Sequence, residues 1–130
     1  MTTKDLMIGD YVTFKDCQND DAPTIVKIEG LGYQGRGVVE EALVTIDGDE
    51  NGFDLVEIDD EFVGIPLTEE ILQKNFPTPE EIVWWPLKDG SFRVEMQDDT
   101  HLIIGKYNYV HELQHALRLF GKEGEIVLWA

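Results

Sequence analysis

The sequence has little of three things: cysteine, basic charge and long apolar runs. Cys17 is its single cysteine, which rules out an internal disulfide and a metal site built from several thiolates. Lysine and arginine number 10 against 27 acids, which gives a net charge of -17. Because such a surface repels phosphate backbones and anionic membranes, the sequence predicts neither direct nucleic-acid binding nor a membrane partner.

The apolar residues are numerous but dispersed. They make up 42% of the 130 residues, which is enough for a packed core rather than a disordered chain. No apolar run approaches the roughly 20 residues that cross a bilayer. Residues 1–5 already contain an acid and no apolar run, so we expect no secretory signal and a cytoplasmic protein.

The order of strand and helix patterns predicts an α+β fold. In the first half, β-branched and aromatic runs bounded by turn residues predict four short strands, which form a small bent sheet or partial barrel. The predicted strands are residues 8–14, 24–29, 38–46 and 53–58. Within the third strand, residues 40–42 leave a local helical turn open as an alternative.

The second half predicts a short helix, an antiparallel β-meander, a C-terminal helix and a final strand. The first helix covers residues 66–75, with Thr68 as its N-cap. The second runs from Asn108, as N-cap, to Phe120, and Gly121 ends it. The predicted strands are residues 82–87, 91–96, 101–105 and 125–129. We therefore expect a β-rich subdomain at 1–64 and a mixed subdomain at 65–130, packed as one compact unit.

Residues 111–115 spell H-E-x-x-H, the zinc-protease signature. On a helix, His111 and His115 can share a metal ion, with Glu112 beside them as a general base. A helical wheel at ~100° per residue places both histidines away from the apolar arc, so we expect them to point to solvent. The extended zinc-protease motif also needs Gly and His where this chain has Arg118 and Gly121. We predict no catalytic residue, metal or cofactor, and keep a zinc-dependent hydrolase using these three residues as the alternative.

Two further patterns match known motifs incompletely. Residues 30–35 fit G-x-G-x-x-G, but a strand follows where a nucleotide-binding fold needs a helix, so we predict a flexible loop between strands. Residues 47–52 match the first half of a calcium-binding loop, but Ile58 stands at the twelfth position, which should be glutamate. We predict an acidic hairpin turn there.

Trp84 and Trp85 are adjacent in a predicted strand, so their indoles point to opposite faces of the sheet. One indole can then be buried while the other anchors a protein partner, near Tyr33 or Phe76 if the fold brings them together. The two tryptophans are therefore the candidate partner-binding residues. Packing between the two halves of the chain is the other interpretation.

Three segments of the chain resemble a group of short proteins that are frequent in gut Bacteroidetes genomes and in their phages or mobile elements. They are residues 6–12, residues 64–72, which contain I-P-L-T-E-E-I-L, and residues 109–114, which fit Y-V-H-x-L-Q. In that group's pattern the positions of Glu112 and His115 are not fixed, which favours an accidental H-E-x-x-H match. The resemblance implies a fold and a genomic setting, and no reaction.

Together these features predict an acidic, cytoplasmic, non-catalytic interaction protein, associated with a phage or mobile element, whose partner is an unidentified protein. The zinc-dependent hydrolase is the first alternative. The second is an acidic mimic of DNA that occupies a DNA-binding protein.

Overall fold

The computed structural model describes residues 5–17, 24–34, 39–47, 53–58, 62–78 and 81–121, together with Ile126 and Leu128. Within these residues the chain forms eight strands in two antiparallel sheets and two α-helices, which confirms the predicted α+β fold. The chain divides into two compact units, Met1–Ile65 and Pro66–Ala130. No helix in the described part of the chain is long and apolar enough to cross a membrane.

The first unit is a five-stranded sheet in the order β4-β3-β2-β1-β5. Its strands are β1 (Tyr11–Phe14), β2 (Val26–Gln34), β3 (Val39–Ile46), β4 (Phe53–Glu57) and β5 (Phe62–Gly64), and a 3-10 turn (Lys15–Cys17) follows β1. Side chains alternate between the two faces of a strand, so one face supplies the core. The fully buried core residues of the central strands are Val12, Val26, Ile28, Ala42 and Val44.

A tight turn positions β1 within this sheet. Gly9 has a φ of 94°, a left-handed conformation that favours glycine. The side chain of Asp10 is buried, and its Oδ2 accepts a hydrogen bond from the Met7 backbone N–H at 2.8 Å. The Gly9 N–H donates to the Ile28 carbonyl at 2.6 Å, which ties the turn to β2. The Ile-Gly-Asp sequence at residues 8–10 is therefore the structural start of the sheet.

In this unit one sequence prediction is wrong, one alternative is not realised, and one strand was not expected. Residues 30–34 continue β2 and pair with β3 instead of forming a loop, after a register shift between Ile28 and Gly30. Residues 40–42 belong to β3 and form no helical turn. Strand β5, which pairs with β1, was not predicted. In each case pairing with a neighbouring strand outweighs the local preference of the residues.

The second unit contains the meander and both helices. Its elements are α1 (Glu69–Asn75), β6 (Ile82–Pro86), β7 (Phe92–Gln97), β8 (Leu102–Tyr107) and α2 (Val110–Leu119), and the sheet order is β6-β7-β8. The predicted meander is confirmed. Thr68 is the N-cap of α1 as predicted, because its Oγ1 accepts from the Ile71 N–H at 3.2 Å.

Several boundaries in this unit differ from the prediction, and α1 begins at Glu69 rather than at residue 66. Strand β8 continues past Gly105 to Tyr107, whose phenol ring lies where a side chain at Gly105 would stand. The N-cap of α2 is Tyr109 rather than Asn108. The predicted final strand, residues 125–129, lies outside the described residues except for Ile126 and Leu128, and neither of these is in a strand.

Helix α2 runs back along β8. The rings of His101, just before β8, and Phe120, just after α2, have centroids 6.3 Å apart. Gly121 has a φ of 93° and ends the helix as predicted. The start of α2 is joined to the segment before α1, where the Leu67 N–H donates to the Asn108 carbonyl at 2.9 Å. Beside this bond, Pro66 forms an isolated β-bridge with Tyr109.

Candidate partner-binding face

Glu112, the candidate general base, is bound to the start of α2. Its Oε1 accepts hydrogen bonds from the backbone N–H groups of Asn108, at 2.9 Å, and Tyr109, at 3.0 Å. A glutamate at the third helical position that bonds the N-cap N–H is half of a capping box. Burial raises the pKa of the Tyr107 phenol, and the nearby charge of Glu112 raises it further. The carboxylate of Glu112 therefore has a structural role in the fold.

The prediction that both histidines point to solvent is wrong for His111. This residue is 8% exposed. The Tyr109 ring stacks on it at a centroid distance of 5.9 Å, and the His115 ring approaches it edge-on at 5.8 Å. The helical wheel did not include Tyr109, which lies before the helix. Gln114 is also fully buried, so the buried side of α2 is wider than its apolar arc.

The described residues give no support to a zinc-hydrolase site. Among the described residues, no group of three or more His, Cys, Asp or Glu side chains could hold a metal ion. The Glu112 carboxylate accepts hydrogen bonds at the start of α2. Arg118, one turn beyond His115, places a positive charge on the same side of the helix. The arrangement supports α2 and offers no base beside a pair of metal ligands.

The described residues of the two loop motifs, 30–34 and Asp47, belong to or close the β2–β3 strand pair. Asp47 has a φ of 52°, and its Oδ1 accepts from the Ile25 N–H at 2.9 Å, which closes the end of the β2–β3 pair. The remaining calcium-loop residues, 48–52, lie outside the described residues, and Ile58 is buried. Residues 30–34 are paired with β3 and lead to no helix, so they provide no phosphate-binding helix start.

Trp84 and Trp85 lie on opposite faces of the meander, as strand alternation predicts. Trp84 is opposite the buried Val94 and is half-buried itself. Its Nε1–H donates to the Phe76 carbonyl at 3.2 Å, and its ring meets Phe92 edge-on at 6.2 Å. Trp85 is 37% exposed. Trp84 is therefore a packing residue, and Trp85 is the tryptophan that a partner can reach.

Trp85 belongs to a surface that we call the outer face, which consists of the residues on its side of the three strands. Cross-strand pairing arranges them in rows across β6, β7 and β8. The first row is Trp85, Arg93 and Lys106; the second is Val83, Glu95 and Ile104; the third is Gln97 and Leu102. Leu102 is 59% exposed and Ile104 is 50% exposed. Sequence reasoning missed these two residues because their place on the same face as Trp85 depends on strand order and register.

Charges on the outer face are paired with one another. The Arg93 guanidinium lies over the Trp85 ring, 5.6 Å from its centroid, and its Nη2 lies 3.2 Å from the Glu95 Oε1. Lys106 forms an ion pair with Asp89 in the β6–β7 turn. The hydrogen bond from Lys106, aided by Ser91, holds the pKa of the Asp89 carboxyl well below its usual range.

The meander is also much less acidic than the rest of the chain. In residues 82–107, three lysines and arginines stand against four acids, so this part has a net charge of -1 out of a total of -17. A count of charge along the sequence could have found this signal.

Comparisons of the chain with protein-family models, curated proteins and solved structures gave no match.

Proposed function

We propose that this chain is a non-catalytic interaction protein that binds a protein partner through the outer face. The observation that carries the proposal is the exposure of Trp85 on the same sheet face as Leu102 and Ile104. Exposed apolar side chains that share one face with polar ones are a feature of interaction sites. Tryptophan and arginine are also the side chains most often found to carry binding energy at interfaces.

The surroundings of Trp85 support this role. The Arg93 guanidinium lies over the indole, and this cation–π contact favours one arrangement of the two side chains before any partner binds. Glu95, Gln97 and Lys106 add polar groups among the apolar ones, which is the mixed composition of interfaces that form and separate. The small net charge of the meander lowers the repulsion that the rest of this acidic chain exerts on an approaching protein surface.

The two alternative functions have less support. A zinc-dependent hydrolase needs Glu112 as its base, and that carboxylate is bound at the start of α2. A DNA mimic needs a face rich in carboxylates, whereas the strands of the outer face carry one, that of Glu95, with Glu81 just before β6. Neither alternative uses the exposed Trp85.

We propose that the protein acts in the cytoplasm of a bacterium that carries a phage or mobile element. The support for this placement is the sequence resemblance at residues 6–12, 64–72 and 109–114, together with the strongly acidic composition. In that setting the partner is a protein of the host or of the element itself.

Affinity purification from cells that encode the chain tests the proposal. Proteins that co-purify with the wild type should be reduced by about tenfold or more with Trp85→Ala, since loss of an interface tryptophan often costs 2 kcal/mol or more. Leu119→Ala is the matched control, because Leu119 is 74% exposed but lies on α2. Circular dichroism checks that both variants fold. Equal recovery of the same proteins with Trp85→Ala would refute the proposed surface.

A further inference from the structure

We infer that the segment bound by the outer face is an acidic peptide with apolar side chains between its carboxylates. This inference rests on the proposed function and adds the chemistry of the partner. Its basis is the row Trp85, Arg93 and Lys106, in which an exposed indole and two basic side chains lie side by side across three strands.

Basic residues are concentrated at the Trp85 end of the meander. Lys88 in the β6–β7 turn joins Arg93 and Lys106 there, so this end holds three of the 10 lysines and arginines in the chain. Among the described residues of the meander, two acids lie with them, Asp89 and Glu95. Charges further away than about 8 Å are largely screened at physiological salt, so these local residues dominate the charge that a bound partner meets.

The ion pairs at this end can be exchanged for pairs with a partner. The side chains of Arg93 and Glu95 are 43% and 35% exposed, and those of Lys106 and Asp89 are 55% and 52% exposed. Exposed pairs of this kind contribute little to stability, so a partner carboxylate can replace Glu95 on Arg93 at small cost. The Arg93 guanidinium lies over the Trp85 ring, and its planar shape suits bidentate binding of a carboxylate.

The remaining rows favour a peptide over a nucleic acid. Val83, Ile104 and Leu102 follow the basic row along the strands and call for apolar side chains on the partner. A nucleic acid brings a phosphate with every nucleotide and no branched aliphatic side chains to fill the apolar rows. Its continuous charge would also meet Asp98 and Asp99 at the other end of the meander. A peptide with alternating acidic and apolar residues satisfies both parts of the face.

Fluorescence anisotropy with labelled probes tests this inference on the 130-residue chain. The probes are a short peptide in which glutamate and leucine alternate, the same peptide with lysine in place of glutamate, and single-stranded DNA. The glutamate peptide should bind most tightly of the three. Its affinity should fall by about tenfold with Trp85→Ala and with Arg93→Ala.

Glu95→Gln gives the sharpest result, because it removes the negative charge that competes with the peptide for Arg93. It should strengthen binding of the glutamate peptide about two- to fivefold. Glu70→Gln is the matched control: it makes the same change in net charge on an exposed residue of α1 and should leave binding unchanged.

The outcomes separate the inference from the proposed function. Preferred, Trp85-dependent binding of the lysine peptide or of DNA overturns the acidic-peptide inference. So does weaker binding of the glutamate peptide by Glu95→Gln, or the absence of any Trp85-dependent binding. The co-purification experiment with Trp85→Ala decides separately whether the outer face binds a protein at all.

Discussion

Removal of the Glu112 carboxylate should destabilise the start of α2 by an amount that the structure allows us to estimate. One carboxylate oxygen accepts two backbone N–H groups, at 2.9 and 3.0 Å, before the first turn. Loss of a capping side chain costs about 1 kcal/mol, and a negative charge near a helix N-terminus adds about 0.3–1 kcal/mol. We expect Glu112→Ala to lower the free energy of unfolding by about 1–2 kcal/mol.

Glu112→Gln separates the hydrogen bonds from the charge. Glutamine keeps the acceptor oxygen and can still form a capping box, so it should lose only the charge contribution, about 0.5 kcal/mol. Glu70→Ala is the control for loss of charge alone, because Glu70 is an exposed acid in the first turn of α1, where Thr68 supplies the capping hydrogen bond. Urea unfolding followed by tryptophan fluorescence gives the midpoints, since Trp84 and Trp85 lie in the same unit as α2. Equal losses for the alanine and glutamine variants, or no loss for either, would refute the capping role.

Two further predictions concern the second unit. Leu117 is 3% exposed and Leu119 is 74% exposed on the same helix. In urea unfolding, Leu117→Ala should therefore lower the free energy of unfolding by about 2–5 kcal/mol, and Leu119→Ala by less than about 0.5 kcal/mol. Similar losses for the two variants would mean that α2 is placed wrongly. The pKa of the Asp98 carboxyl is lowered by hydrogen bonds from the backbone N–H groups of Thr100 and His101. Because its folded-state pKa lies below its unfolded value, the stability that it provides is present above the unfolded pKa and is lost as the pH falls through the folded pKa. Asp98→Ala should therefore destabilise the protein more at neutral pH than in acid, and an equal effect in urea unfolding at both would contradict this reading.

The sequence predicted the meander well because its signals are local. Phe92, Val94 and Met96 are buried and alternate with more exposed residues, which is the period of a strand with one face in the core. Gly90, with a φ of 88°, marks the turn before them. Strand β5 has only three residues and exists through its pairing with β1, which lies about fifty residues earlier in the chain. A window of local sequence contains no information on that pairing.

The sequence predicted the part of the candidate site that depends on local alternation and missed the part that depends on strand pairing. Alternation was enough to separate Trp84 from Trp85. It could not show that Leu102 and Ile104 share a face with Trp85, because β8 reaches that face only through its register with β7. For His111, the helical wheel considered the helix alone, whereas the ring that covers it belongs to the residue before the helix.

The contact between Pro66 and Tyr109 makes the path from α1 through the meander a closed loop. The chain leaves this point into α1, traverses three strands, and returns to it at the start of α2, with the Leu67 N–H bonded to the Asn108 carbonyl. A protease cut in the exposed turn at Asp99 and Thr100 would therefore leave two fragments that are still joined by strand pairing on one side and by this contact on the other. After a single cut the two fragments of the second unit should therefore stay together as a non-covalent complex.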